Sequence, residues 1–231
     1  MIRNVGQGLA GVLALHQTAH IRALSAPRAR DNPHMPLIQP KSAMSSGTPA
    51  LQPGSSYAQP FELLGACHER VQRSLDLLER LLAHLQEQQA CDEAARSAAR
   101  DVLRYFDVAA PLHHQDEELH VFPALEAGGD AAQKQACAEL RAQHVQISAA
   151  WQALRRPLHE LAALPDGPLN GPLDSHLLQD LTPAATLFVR LHDAHLRTED
   201  GLVFPAAAAL LAEPAQAEMG REMAARRGLA I

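Results

Sequence analysis

From Pro60 onward, apolar residues recur by threes and fours, the period of a helix that buries one face. In the first stripe Leu64, His68, Val71, Leu75, Leu78 and Leu82 share a face, with Glu69, Arg70, Arg73, Asp76 and Arg80 off it. A second stripe runs Val102, Phe106, Ala109, His113, Glu117 and His120, and Pro111 is expected to kink it one turn before its polar members. The third reads Cys137, Leu140, His144, Ile147, Trp151, Leu154 and Leu158; the fourth reads Leu181, Ala185, Phe188, His192, His195, Glu199 and Leu202. Between them lie a connection over Gln86 to Cys91, a Gly128-Gly129 stop followed by Asp130 as a cap, and the proline- and glycine-rich PDGPLNGPLDS. Four long amphipathic helices with mostly short links predict an all-α, up-down-up-down four-helix bundle over residues 58–213. Residues 214–231 are expected to add a short amphipathic helix and tail outside it.

The inward stripes carry ionisable residues where only apolar ones would be expected. Two of these form a repeated phrase: His113-x-x-x-Glu117-Glu118-x-x-x-Phe122-Pro123 and His195-x-x-x-Glu199-Asp200-x-x-x-Phe204-Pro205. Residues four apart on a helix stand above one another, so each phrase aims an imidazole and a carboxylate at one point. A lone histidine precedes each phrase, His68 before the first and His144 before the second. A single histidine on an apolar stripe is more often a hydrogen-bonded core residue than a ligand, and the HHQDEE run taken alone reads as a solvated, charge-paired helix face. Six such groups on the inner stripes of four successive helices are harder to explain that way. A buried, unpaired carboxylate costs several kcal/mol, and a pair of cations would supply the missing charge. Four histidines and two carboxylates would fill most of the coordination shells of two neighbouring ions, with the carboxylates free to bridge.

Composition narrows the alternatives. A net charge of −6 argues against nucleic-acid binding, which shows as a basic patch. Cys67, Cys91 and Cys137 form no CxxC pair and are odd in number, which argues against a disulfide framework or thiolate zinc site and fits a reducing cytoplasm. No apolar run is long enough to span a membrane. Residues 1–57 differ from the rest: Arg3, Arg22, Arg28 and Arg30 precede the first acid, Asp31, and a Pro/Ser/Gly-rich stretch follows. This part reads as a disordered tail. The apolar stretch from Gly6 to Leu15 resembles a targeting peptide only weakly, without a clear cleavage site, and a start at Met35 or Met44 is the competing explanation. His16, His20 and His34 have no carboxylate partner at helical spacing.

The segments CHERV, HHQDEELHVFP, AQHVQI and HLRTEDGLVFP together resemble the hemerythrin-type HHE cation-binding domain, over about Phe61 to Leu211. The resemblance implies a four-helix bundle around two iron ions in a non-haem di-iron centre. It carries over His68, His113, Glu117, His144, His195 and Glu199 as ligands, the same six reached from spacing. One departure is Ser148, which stands where the oxygen-carrying hemerythrins have a further histidine. His192 and His120 are the residues considered for supplying that nitrogen, with support of the ligands from behind preferred over direct ligation for each, while His114 and Glu118, one residue round, are read as neighbours that orient the ligands. Ferritin-like proteins use Glu-x-x-His on two helices; Glu117-x-x-His120 fits, but Glu199 has no such partner. Imidazole with carboxylate suits iron, manganese or zinc, and iron is preferred on the resemblance alone. The expected functions are binding or sensing oxygen, nitric oxide or peroxide, or handling iron; next, an oxidoreductase or iron-centre repair enzyme; last, a metal-free interaction module.

Overall fold

The structure is a computed structural model that describes residues 56–165 and 175–230. The tail expected over residues 1–57, apart from its last two residues, lies outside the described residues, as does most of the loop before Ser175.

Helix α1 (Pro60–Gln88) ends where Gln89 turns into the left-handed region, φ 49°, and donates its N–H to the Leu85 carbonyl. Helix α2 (Glu93–Asp116) starts at Asp92, whose carboxylate accepts the Ala95 N–H, and runs through Pro111. Helix α4 (Ala131–Ala162) begins at a full capping box, in which Asp130 and Gln133 each satisfy the other's backbone N–H. These caps belong to the short polar links seen in the sequence. Helix α5 (Ser175–Thr198) is the fourth long helix. α1 packs on α2 and α5, and α4 packs on the same two, so the four close a ring around a shared interior. Up to Glu117 and Glu199 all four predicted stripes are buried in that interior except at Ala109, which is half-buried while its neighbour Ala110 is buried.

Beyond those two glutamates the helices change geometry. α2 passes into a π-helical turn, Glu117–Val121, and then into α3 (Phe122–Gly128); α5 passes into a second one, Glu199–Val203, and then α6 (Phe204–Leu210). The Phe122 N–H reaches back five residues to the Glu117 carbonyl, and the Phe204 N–H does the same to Glu199. The repeated Phe-Pro accounts for this. Pro123 and Pro205 have no N–H, and their rings would press on the carbonyls four residues back, Leu119 and Gly201, so the turn widens there. One residue is absorbed, and the buried face shifts by one. Val121 and Val203 are buried, while Leu202, expected inside, is 36% exposed.

Helix α7 (Glu213–Arg226) lies against the end of the bundle through Met219, Met223 and Ala224. Gly220 is required there: a Cβ would sit 1.8 Å from the Tyr57 carbonyl oxygen. The helix is also tied down by charge. Asp116, fully buried, accepts hydrogen bonds from Arg226 (2.8 Å) and Arg227 (2.7 Å).

The apolar core comes in two parts. One contains Val71, Leu75, Phe106, Ile147, Leu154 and Phe188; the other contains Leu64, Phe122, Leu125, Leu140, Val203 and Met223. On each long helix the polar residues of the stripe fall between members of the two, so they form a layer across the bundle with apolar packing on both sides. No helix among the described residues is long and apolar enough to cross a membrane.

Candidate metal centre

The six residues that spacing singled out all point into this layer, and all are buried; Glu117 and Glu199 have no exposure. Each glutamate divides its two oxygens between different histidines. Glu117 Oε1 lies 3.1 Å from His113 Nε2 and 3.9 Å from His68 Nε2, while its Oε2 lies 3.4 Å from His144 Nε2. Glu199 Oε2 lies 3.2 Å from His68 Nε2, while its Oε1 lies 3.0 Å from His195 Nε2 and 3.9 Å from His144 Nε2. Both carboxylates therefore span from one set of nitrogens to the other. Despite these distances, none of the four oxygens forms a hydrogen bond among the described residues, nor do the Nε2 atoms of His68, His113, His144 and His195. Lone pairs facing lone pairs in a dry interior are a costly arrangement that a cation resolves.

The outer nitrogens of the rings are held. His68 Nδ1 meets Asp200 Oδ1 at 2.7 Å, His144 Nδ1 meets Glu118 Oε1 at 2.7 Å, and His195 Nδ1 meets Gln143 Oε1 at 3.1 Å. An Nδ1–H donated outward leaves the Nε2 lone pair facing inward, the tautomer a metal ligand needs. The acid following each shared glutamate reaches across the bundle: Glu118 to α4, Asp200 to α1. Asp200 and Gln143 were missed in the sequence, although Asp200 occupies in the second phrase the place that Glu118 occupies in the first.

Burial opposes charge on His68, but Asp200, Glu117 and Glu199 outweigh it and push its pKa up to about 11. His144 is likewise pushed up to about 10, against burial, by Glu117, Glu199 and Glu118. Burial also works against charge on Glu117 and Glu199, yet the surrounding imidazoles hold both below the usual carboxylate range. Burial pushes His113 and His114 below the ordinary imidazole value. Protons on His68 and His144, or cations between the rings, are thus alternative ways to balance two buried carboxylates.

The four further candidates separate. Glu118 orients His144, as described. His192 is buried one turn from His195, donates Nδ1–H to the Phe188 carbonyl at 3.0 Å, and has its pKa lowered to about 4 by burial among apolar rings. His120 does not reach the layer. The π turn swings it outward, where its Nε2 lies 2.8 Å from Arg226 and 3.4 Å from Glu222. His114, read as a neighbour that orients the ligands, also has a ring nitrogen close to the cluster. Two groups have donor atoms all within 4.8 Å of one another: His68, His113, Glu117 and Glu199; and His114, Glu117, His144 and His195.

A helical bundle crossed by buried imidazoles and shared carboxylates defines a metal-binding bundle protein. The hemerythrin HHE cation-binding domain model matches residues 59–207. An uncharacterized protein of Haemophilus influenzae is 33% identical over 173 residues, which is 75% of this chain and 92% of that protein. The chain belongs to the hemerythrin HHE cation-binding domain family.

Proposed function

We propose that this chain is a non-haem di-iron protein that binds or senses a small ligand such as oxygen, nitric oxide or peroxide. The observation that carries the reading is the division of both Glu117 and Glu199 between two sets of histidines, which is the arrangement two adjacent cations require. The donors fit iron: borderline imidazoles and hard carboxylates without a thiolate, a set that manganese or zinc also accepts. When bound, the iron pair supplies an open coordination position and one or two electrons for the small ligand. His68, His144 and His195 hold their lone pairs inward because Asp200, Glu118 and Gln143 fix the opposite nitrogens. Glu117 and Glu199 supply two negative charges that offset much of the cations' charge. The apolar packing on both sides of the layer excludes bulk water, so that electrostatic interactions inside it are strong.

A second reading, an oxidoreductase or an iron-centre repair factor, draws on the pocket of about 540 Å³ that opens at His114, His144 and Ser148. Space beside the second set leaves room for a substrate larger than a diatomic molecule. The test is anaerobic loading with ferrous iron, followed by metal analysis and optical spectra with oxygen, nitric oxide and peroxide. Two irons per chain with stoichiometric ligand uptake is the expected result. Repeated turnover of peroxide or nitric oxide would move the assignment to the enzyme reading, and fewer than two irons would reject the di-iron centre. We place the protein in the cytoplasm, where Cys67, Cys91 and Cys137, all free, stay reduced.

A further inference from the structure

The two donor groups in the polar layer are not equivalent. Glu117 belongs to both; the first adds Glu199 and the nitrogens of His68 and His113, and the second adds the nitrogens of His114, His144 and His195. We propose that His114 is a direct ligand of the cation in the second group, giving the two metal positions two and three imidazoles respectively. This rests on the two-cation reading above.

Three observations carry it. The donor atoms of His114, Glu117, His144 and His195 lie within 4.8 Å of one another. Bonds of about 2.1 Å place two donors on one ion no more than about 4.2 Å apart, so a contraction of about half an ångström brings the whole group to bonding distance. The His114 ring also lies almost parallel to that of His144, with centroids 4.0 Å apart and planes 9° apart, and 5.4 Å from that of His195. It packs against both histidines of the second group, whose own rings are 4.8 Å apart, and is only partly exposed. Finally, His68, His144 and His195 each have one nitrogen locked by a polar side chain, whereas no hydrogen bond holds His114 among the described residues. Its ring is free to present a nitrogen to an ion.

The location is consistent with this role. His114 lines the pocket between α2 and α4 beside Ser148, whose short side chain leaves the space open. His114 on α2 thereby faces the stretch of α4 where, one turn after His144, Ser148 supplies no second imidazole. The competing explanation is that His114 only covers the outer face of the His144 ring. The two differ in whether a ring nitrogen of His114 bonds the metal.

Cobalt(II) titration of the full chain distinguishes them, using wild type, His114→Gln and His114→Cys. The expected result is two cobalt ions on wild type, with one binding step weakened at least about tenfold in His114→Gln and the other unchanged. His114→Cys is expected to gain a thiolate-to-cobalt charge-transfer band that wild type lacks, since a cysteine sulfur yields that band only when bonded to the ion. A His114→Gln protein that titrates like wild type would overturn the proposal. So would a His114→Cys protein that binds two cobalt ions without the band. If wild type itself binds fewer than two, the two-cation reading fails instead.

Discussion

Replacing His113 with alanine removes one of four donors from the first group while leaving the second group whole. Among the described residues His113 has no polar partner other than this cluster: neither of its nitrogens forms a hydrogen bond, and the ring is buried. The bare loss of stability includes a cavity term, so the informative quantity is the gain on adding metal. A cation at a hundredfold excess over its dissociation constant stabilises the native state by about 2.7 kcal/mol per site, or roughly 5 kcal/mol for two. At about 2–4 °C per kcal/mol for a domain of this size, wild type should gain about 10–20 °C in Tm on saturation with ferrous iron or cobalt(II). His113→Ala should keep about half of that gain. Differential scanning calorimetry with and without metal measures it directly. His84, partly exposed and paired with Asp92 outside the layer, serves as control, and His84→Ala should gain as much as wild type. Equal gains in His113→Ala and wild type would refute the reasoning, because His113 would then contribute nothing to holding a cation.

Three further outcomes are expected. With His68 and His144 raised to about 11 and about 10, both are protonated in the cation-free protein at pH 8 and must be neutral as ligands, so metal loading should release about two protons. Since these pKa values lie above the ordinary 6.5, the protonated rings stabilise the cation-free fold fully below about pH 6.5 and cease to do so as pH rises through 10–11; apparent metal affinity should climb across that window, and calorimetric titration in buffers of different ionisation enthalpy that finds no proton release would refute it. Glu118→Gln and Asp200→Asn should each weaken metal binding about 10–100-fold by loosening His144 and His68, whereas Glu126→Gln should have no effect on a metal titration. Asp116→Ala strands Arg226 and Arg227 and should cost about 3–5 kcal/mol in urea unfolding, while metal content per folded chain stays at the wild-type value; a cost below about 1 kcal/mol would mean that the α7 clasp contributes little.

The stripes of Leu64 to Leu82 and Cys137 to Leu158 were legible because a 3.6-residue period forces recurring apolar positions onto one side, whatever that side meets. The six cluster residues were legible for the same reason, since an ionisable group inside such a stripe must be buried. The cap at Asp130 and the stop at Gly128 are local chemistry, and local chemistry is written in order along the chain. Other features depend on residues distant in sequence. The π turns follow from Pro123 and Pro205, but their effect on register, which sends His120 out to Arg226, appears only once the widened turn is in place. Asp116 sits beside Glu117 in sequence, yet its partners come from a helix about 110 residues away. The pairing of Asp200 with His68 spans 132 residues, and His114 joins its donor group only because α4 and α5 bring His144 and His195 alongside. The order of residues along each helix decided which groups enter the polar layer. Only the packing of the helices on one another decided how those groups divide between two sets of donor atoms, because that division depends on distances across the bundle that no single helix contains.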